Sequence, residues 1–550
     1  MDTSKFSPVH WLNHWASETP EKTFLHQPKD RQIETHNWAQ IKQQVEGVAA
    51  SLHHLGLNKG DKVAILAKNC AEWFITDLAI MRAGMVSVPI YPSANAETIQ
   101  YVLDHSEAKA VFVGKLDKQE LADKGVAGNI IRLGMSYDTI PVQYDWQQLQ
   151  SLGAPIEEHL PQMDDLMSII YTSGSTGNPK GAMISYKAYN WANDKIVNVL
   201  GFNQSSRFLS YLPLAHITER CLVEGAAFHC NMTIYFTESL EHFVADLNYA
   251  KPTIFFSVPR LWSLFQKNII DKIGHSKLEF LLKVPIVSGL IKKKIQKGLG
   301  LEHAQIAASG SAPISPALIE WYQKIDINIC EAWGMTENCI YAIGNFPFRE
   351  DMIGTIGNVL EGCEIKIADN DELLFKSGGL FNGYYKNEEA TKEAFDEEGF
   401  FKTGDLAKIE ENGAVRLVGR VKDNFKTAKG KFVQPVPIEK RLAQDPHIEL
   451  LCVVGAGMAA PVTLVQLSEG AMAMPRAQVE KSLKETLTAV NGHLESHEKV
   501  GAIVVVEEQW TPENDILTPT LKIKRHVLHE KYASRVEELK GQVILWESEL

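Results

Sequence analysis

Residues 166–181, LMSIIYTSGSTGNPKG, constrain the fold of this chain more than any other stretch. The apolar run 166–171 is short and bounded by turn residues, which predicts a buried strand. It feeds a loop with three glycines and a close set of hydroxyls, ending in Lys180-Gly181. A loop anchored on a strand end brings backbone N–H groups and hydroxyls together, and glycine lets the backbone approach an anion without a Cβ clash. Lys180 adds positive charge. The arrangement suits the β- and γ-phosphates of a nucleotide. The ordinary P-loop has lysine after glycine and before Ser or Thr. Here Lys180 follows Pro179 and precedes Gly181, so a kinase or GTPase reading loses its main support. The competing reading is a Gly/Ser-rich surface turn, and the strand anchor and terminal lysine weigh against it.

The surrounding sequence predicts layered α/β structure. Residues 38–55 have helical spacing, 62–67 (KVAILA) read as a strand, 72–83 as a helix and 86–90 as a buried strand. The alternation continues at 109–113 and 166–171 and argues for parallel sheet. Past residue 350, short strands at 365–367, 372–375, 407–409 and 415–418 are separated by turn residues, predicting a β-rich subdomain. The last stretch returns to α+β, with strands near 449–454 and 501–506. A chain of 550 residues exceeds one ordinary core. The expected fold is therefore a large N-terminal domain of layered α/β sheets, 1–419, with the β-rich subdomain at about 350–419, and a small mobile α+β domain, 423–550. The break is set near Gly419 and Arg420.

A net charge of -13 argues against nucleic acid as a partner. Seven cysteines with no C-x-x-C pair argue against a disulfide framework or structural zinc and fit a reducing compartment. The N-terminus does not read as a signal peptide, and no apolar run reaches the ~18 residues of a spanning helix. A cytoplasmic protein is expected, with peripheral contact at the inner membrane left open. Residues 281–300 mix apolar residues with five lysines. They read as an amphipathic helix with a basic face, or as an interfacial helix meeting acidic lipid, with Pro285 and Gly289 as interruptions.

The loop YTSGSTGNPKG resembles the signature of the adenylate-forming superfamily: acyl-CoA synthetases, firefly luciferase and peptide-synthetase adenylation domains. The resemblance spans roughly residues 10–535, and further motifs follow in family order. It implies that Thr172, Ser173, Gly174, Ser175, Thr176, Gly177 and Lys180 hold ATP phosphates. The small-residue turn ASGSAP implies that Gly310, Ser311 and Ala312 form one wall of the adenine pocket. In EAWGMTE, comprising Glu331, Ala332, Trp333, Gly334, Met335, Thr336 and Glu337, the aromatic would lie against adenine and Thr336 would contact the α-phosphate. Glu337 would hold Mg²⁺ with Thr172 as its partner near the metal, a sensible share for an ion that prefers oxygen ligands. Asp405 of FKTGD would accept the ribose hydroxyls, and Arg420 would contact ribose or phosphate. Lys422 falls on the hinge position, within 420–422. The loop 427–439 matches the segment contributing to the thiol-accepting site.

PTLKIKR resembles the final lysine motif. Lys522 takes the catalytic role because Lys-x-x-Arg aligns best; Leu521 stands where glycine is usual, and Lys524 is the alternative. PLAHITER looks like the segment of long-chain acyl-CoA synthetases, which implies His216 near the acyl carboxylate; a core or surface histidine is the bland alternative. The VPIYP run at 88–92 and Gly383-Tyr384-Tyr385 favour the same branch. The implied function is an ATP-dependent acid:thiol ligase that activates a fatty acid as acyl-AMP and transfers it to coenzyme A. A ligase that loads a carrier protein is the runner-up, separable by product analysis with free CoA. A non-catalytic acyl or nucleotide sensor is the third reading, and acid-dependent pyrophosphate release would exclude it. Chain length and oligomeric state are not legible.

Overall fold

The strand expected at 166–171 forms as Leu166–Thr172 and lies inside a six-stranded sheet. The spatial order is Ile131–Gly134, Ala108–Val113, Lys62–Leu66, Val86–Ile90, Leu166–Thr172 and Lys180–Ser185. All neighbours are parallel except the last pair, which is antiparallel. The molecule is known here from a computed structural model that describes residues 6–126, 128–137, 139–157, 159–172, 178–518, 522–537 and 543–549.

Parallel strands are covered on both faces, so their side chains are apolar throughout. Val86–Ile90 is buried at every position. The helix Ala71–Arg82 between two of the strands is likewise buried at every residue, which is why it lacks a polar face. Trp38–His54 starts at Asn37, whose side chain accepts from the Gln40 N–H while the Gln40 side chain accepts from the Asn37 N–H, a reciprocal cap.

A second mixed sheet orders Gln32–Asn37, Thr23–Lys29, Thr233–Phe236 and Arg207–Ser210. A third runs Ile254–Ser257, Ile306–Ser309 and Ile329–Trp333 in parallel, then two short antiparallel strands. The β-rich stretch forms an antiparallel sheet of Cys363–Ile367, Glu372–Ser377, Phe401–Ile409 and Val415–Arg420. Near the C-terminus, Ile448–Val454, Val462–Leu467, Ala502–Val505 and Ile544–Trp546 make a mixed sheet. Apolar side chains pack on both of its faces, and among the described residues these two clusters contain none from before Phe425.

Residues 281–300 depart from one expectation. Two helices form, His275–Lys283 and Val287–Gly298, broken at Pro285. Gly289 does not interrupt; it lies inside the second helix, where its cost of about 1 kcal/mol relative to Ala is outweighed by the burial of Ile295 in the core. All seven cysteines are free thiols. Among the described residues no helix is long and apolar enough to cross a membrane.

The PLAHITER segment ends in a buried ionic network. The helix turn Ile217–Glu219 continues into a π-helical turn, Arg220–Gly225, a geometry often found at functional sites. Arg220 is fully buried. It donates to Ser168 Oγ at 2.8 Å, Ser87 Oγ at 3.2 Å and Glu224 Oε2 at 3.3 Å, and it pairs with Asp77. The guanidinium thus ties this segment to two central strands and to the buried helix. Burial first, and Asp77 next, push the Glu224 carboxyl well above the usual range.

Candidate active site

Thr172 ends its strand opposite Lys180 on the returning strand, and its hydroxyl donates to the Lys180 carbonyl at 3.4 Å. Ser173, Gly174, Ser175, Thr176 and Gly177 lie outside the described residues. The Lys180 ammonium sits 4.9 Å from the centre of the Tyr384 ring, within cation–π range. Tyr384 reaches this place because residues 382–385 run beside the returning strand. Asn382 N donates to the Met183 carbonyl, Met183 N to that of Gly383, and Tyr385 N to that of Gly181. The Tyr384 hydroxyl then donates to Glu337 Oε1 at 2.9 Å. Tyr384 therefore bridges Lys180 and Glu337, the residues expected at the phosphates and at the metal. Its motif had pointed only to a branch of the family, since no local pattern links positions 47 apart.

Glu337 is buried in the short turn Thr336–Asn338 that follows the strand Ile329–Trp333. Burial raises its pKa; backbone and Tyr384 hydrogen bonds and the Arg420 and Lys522 charges oppose that rise. Gly334 has an internal reason. A Cβ there would lie 2.2 Å from the Ile340 carbonyl oxygen, so the turn closes only on glycine.

Asp405 is gripped from two sides. Trp333 Nε1 donates to its Oδ2 at 2.9 Å, and Arg420 Nε to its Oδ1 at 2.6 Å. Asp405 and Arg420 are direct cross-strand partners, a placement in which opposite charges attract. Trp333 is buried and its indole edge orients this carboxylate. Beside it, Ser309 is in register with Glu331, so the turn of Gly310, Ser311 and Ala312 leaves the sheet next to the Glu331–Met335 segment. A Cβ on Gly310 would meet the Ala332 carbonyl at 3.0 Å. Burial pushes the Glu331 carboxyl up to about 7.

Lys522 comes from the C-terminal part of the chain. Its N–H donates to Thr518 Oγ1 at 3.0 Å, and its carbonyl accepts from the Thr518 N–H at 2.8 Å. The residue is open to solvent by area, yet its pKa is lowered, by desolvation first and by Arg420 second, with Asp405 and Glu337 opposing. Both observations hold for an ammonium inside an open cleft, reached by water but walled by protein atoms. Lys524 instead pairs with Asp515 at 2.5 Å. Arg525 bonds Glu439 and the Val453 carbonyl, clamping the C-terminal part internally.

His216 faces the same cleft. Its Nδ1 accepts from the Thr218 N–H at 3.2 Å, which leaves the proton on Nε2. Burial, then the Lys522 charge, lower its pKa to about 3, so the ring is neutral at ordinary pH. Next to it, Glu219 accepts from Ser210 Oγ at 2.7 Å and the Tyr211 N–H at 3.0 Å, and burial raises it to about 8. Lys422 is exposed just beyond Arg420.

The AMP-binding enzyme family matches residues 12–385, and its C-terminal domain family matches residues 422–542. The chain belongs to the AMP-binding enzymes. Among curated relatives, long-chain-fatty-acid–CoA ligase FadD15 of Mycobacterium bovis is 30% identical, the alignment covering 91% of each chain. Fatty acyl-CoA synthetase A of Dictyostelium discoideum is 28% identical over 92% of this chain and 86% of its own. Among solved structures, the O-succinylbenzoate coenzyme A synthetase of Bacillus subtilis with AMP superimposes with a TM-score of 0.74 at 21% identity, covering 98% and 99% of the chains. The adenylation domain of a carboxylate reductase from Mycobacterium chelonae gives 0.80 at 21%, covering 98% and 91%. The α/β fold with its small C-terminal part is thus that of AMP-binding enzymes.

Proposed function

We propose that this AMP-binding enzyme activates a long-chain fatty acid with ATP and passes the acyl group to coenzyme A. The observation that carries this reading is the meeting of Lys522, Arg420, Asp405 and Glu337 around one cleft. A binding protein for a nucleotide would not need a desolvated lysine brought in from the C-terminal part. The long-chain choice rests on the names of the relatives that align over most of the chain.

In the first half-reaction a carboxylate oxygen of the acid attacks the α-phosphorus of ATP. The new O–P bond gives acyl-AMP, and the bond to pyrophosphate breaks. Two anions must approach, so catalysis is positional and electrostatic. Lys522 and Arg420 offset charge on the phosphoryl oxygens. Lys180 faces the departing pyrophosphate, Asp405 accepts ribose hydroxyls, and the Nε2–H of His216 donates to the acid. Thr336 contacts the α-phosphate, and the turns at 310–312 and 331–335 enclose adenine. Glu337 and Thr172 offer one carboxylate and one hydroxyl, a donor set that fits Mg²⁺, which takes most of its oxygens from phosphate and water. Bound there, the ion would supply neutralising charge to the phosphates. In the second half-reaction the CoA thiol loses its proton to solvent, the thiolate attacks the acyl carbonyl, and the acyl–O bond to AMP breaks, so that AMP leaves.

The second step requires Lys522 to vacate the cleft, and the reading assigns that movement to rotation of 423–550 about Lys422. Two features support it. The apolar clusters of the C-terminal part are self-contained. Among the described residues its ion pairs to the rest, Arg260–Glu449 and Lys118–Glu513, are exposed and cheap to break. Lys422→Pro is expected to lower steady-state turnover, because proline fixes φ near −65°. Unchanged turnover would sink the hinge assignment.

The test of the whole reading is ATP–pyrophosphate exchange with acids from acetate to long-chain and aromatic ones, followed by detection of the CoA thioester. Each buried methylene contributes about 0.8 kcal/mol, so exchange efficiency for a long-chain acid should exceed that of acetate at least about tenfold. A maximum at acetate or an aromatic acid would overturn the substrate choice, and no exchange with any acid would overturn the ligase reading.

A further inference from the structure

The helical hairpin of His275–Lys283 and Val287–Gly298 carries a surface that the proposed reaction does not use. Its inward faces are accounted for: Leu278 and Ile295 are buried, and Leu282 and Ile291 pack against the same cluster. Three large apolar side chains lie elsewhere. Phe280 is 66% exposed, Ile286 86% and Leu290 66%. Phe280 stands two residues from Leu278, on the opposite side of its helix, and Leu290 lies about 100° from Ile291 around the other. They are not overspill from the core stripe.

Ile286 caps the second helix at φ 69° and ψ −52°. A β-branched residue pays for a positive φ, and no packing explains it, since the side chain projects into solvent. The tip of the hairpin thus holds an aliphatic group outward at a cost.

Lysines surround these groups. Lys277 and Lys283 are three residues either side of Phe280, hence on its face. Lys293 and Lys294 are three and four beyond Leu290, and Lys297 follows one turn later. Residues 271–298 hold seven lysines against Asp271 and Glu279, in a chain whose net charge is -13. Both acids are already engaged, with Lys267 and Lys324. Lys277, Lys283, Lys293, Lys294 and Lys297 are exposed, and none has a carboxylate within 4.0 Å among the described residues.

We propose that this hairpin docks the enzyme on an anionic lipid bilayer, with Phe280, Ile286 and Leu290 among the acyl chains and the lysines at the headgroups. A helix face with separate apolar groups within a basic field is the chemistry of interfacial binding. Nucleic acid would engage the lysines and gain nothing from Ile286 or Leu290. The inference stands on its own residues and does not depend on which acid is activated.

The experiment is co-sedimentation of the full-length protein with phosphatidylcholine vesicles, with and without phosphatidylglycerol, in the absence of ATP and acid. Binding should need phosphatidylglycerol and weaken with salt. Phe280→Ser, Ile286→Ser and Leu290→Ser together should lower partitioning at least about tenfold. A separate set, Lys277→Gln, Lys283→Gln, Lys293→Gln and Lys294→Gln, should do the same at about fivefold per lysine near the surface. All these positions are exposed, and pyrophosphate exchange with a soluble acid should be unchanged in both sets. Absence of binding, equal binding to uncharged vesicles, or wild-type binding by either set would overturn the proposal. So would a drop in oligomeric state of the serine variant, which would make the patch a contact with a second copy.

Discussion

Lys522→Ala is expected to lower acid-dependent ATP–pyrophosphate exchange by about 10²–10³-fold, the usual effect of removing one preorganised charge-stabilising donor. Thioester formation from supplied acyl-AMP and CoA should stay within a few-fold of wild type. The split follows from where the ammonium sits. It shares a cleft with Arg420, Asp405 and Glu337, whose charges move its pKa, so it lies within Coulomb range of phosphoryl oxygens bound among them. The second step has no such demand, because AMP already leaves well. Lys524→Ala serves as the control. Its ammonium is held by Asp515, so exchange should be near wild type. Equal loss of both half-reactions in Lys522→Ala, or greater loss in Lys524→Ala, would refute the assignment.

Arg220→Met is expected to destabilise the protein by about 3–5 kcal/mol, the cost of removing one partner from a buried ion pair. Denaturant unfolding reads it as a lowered midpoint. The side chains of Arg220, Asp77 and Glu224 are all inaccessible to solvent, so deletion of the guanidinium strands Asp77 without a counter-charge. Asp77 and Glu224 both have pKa values raised by burial. A carboxyl whose folded pKa is raised favours the folded state at low pH and loses that contribution as pH rises through the folded value. The penalty should therefore shrink as pH falls. Glu224→Gln, which keeps the shape of a carboxyl whose charged form burial disfavours, should cost no more than about 1 kcal/mol. A larger loss there than in Arg220→Met would show that the charge distribution in the triad is different.

Much of the fold was legible because its elements are local. Residues 86–90 formed the expected strand to the residue, since a short apolar run bounded by turns has few other uses in an α/β chain. The strand at 166 extended one residue, to Thr172. The expected helix at 38–55 ended at His54. Pro285 broke a helix and Gly289 did not, because proline removes a backbone donor everywhere, whereas the cost of glycine is small enough for tertiary burial to outweigh.

The site divides along the same line. Sequence by itself determined the family and the order of the motifs, and it singled out Lys180, Glu337, Asp405, Arg420 and Lys522 as candidates, because few residue types suit the phosphate, ribose and metal chemistry expected of them. It did not show which of Lys522 and Lys524 shares a cleft with Arg420, Asp405 and Glu337, and it gave no sign that Tyr384 joins Lys180 to Glu337 or that Trp333 spends its indole N–H on Asp405. Tertiary structure decided those points. Each depends on which distant group lies within hydrogen-bond or Coulomb range, and that proximity is set by how the sheets pack, not by any spacing along the chain.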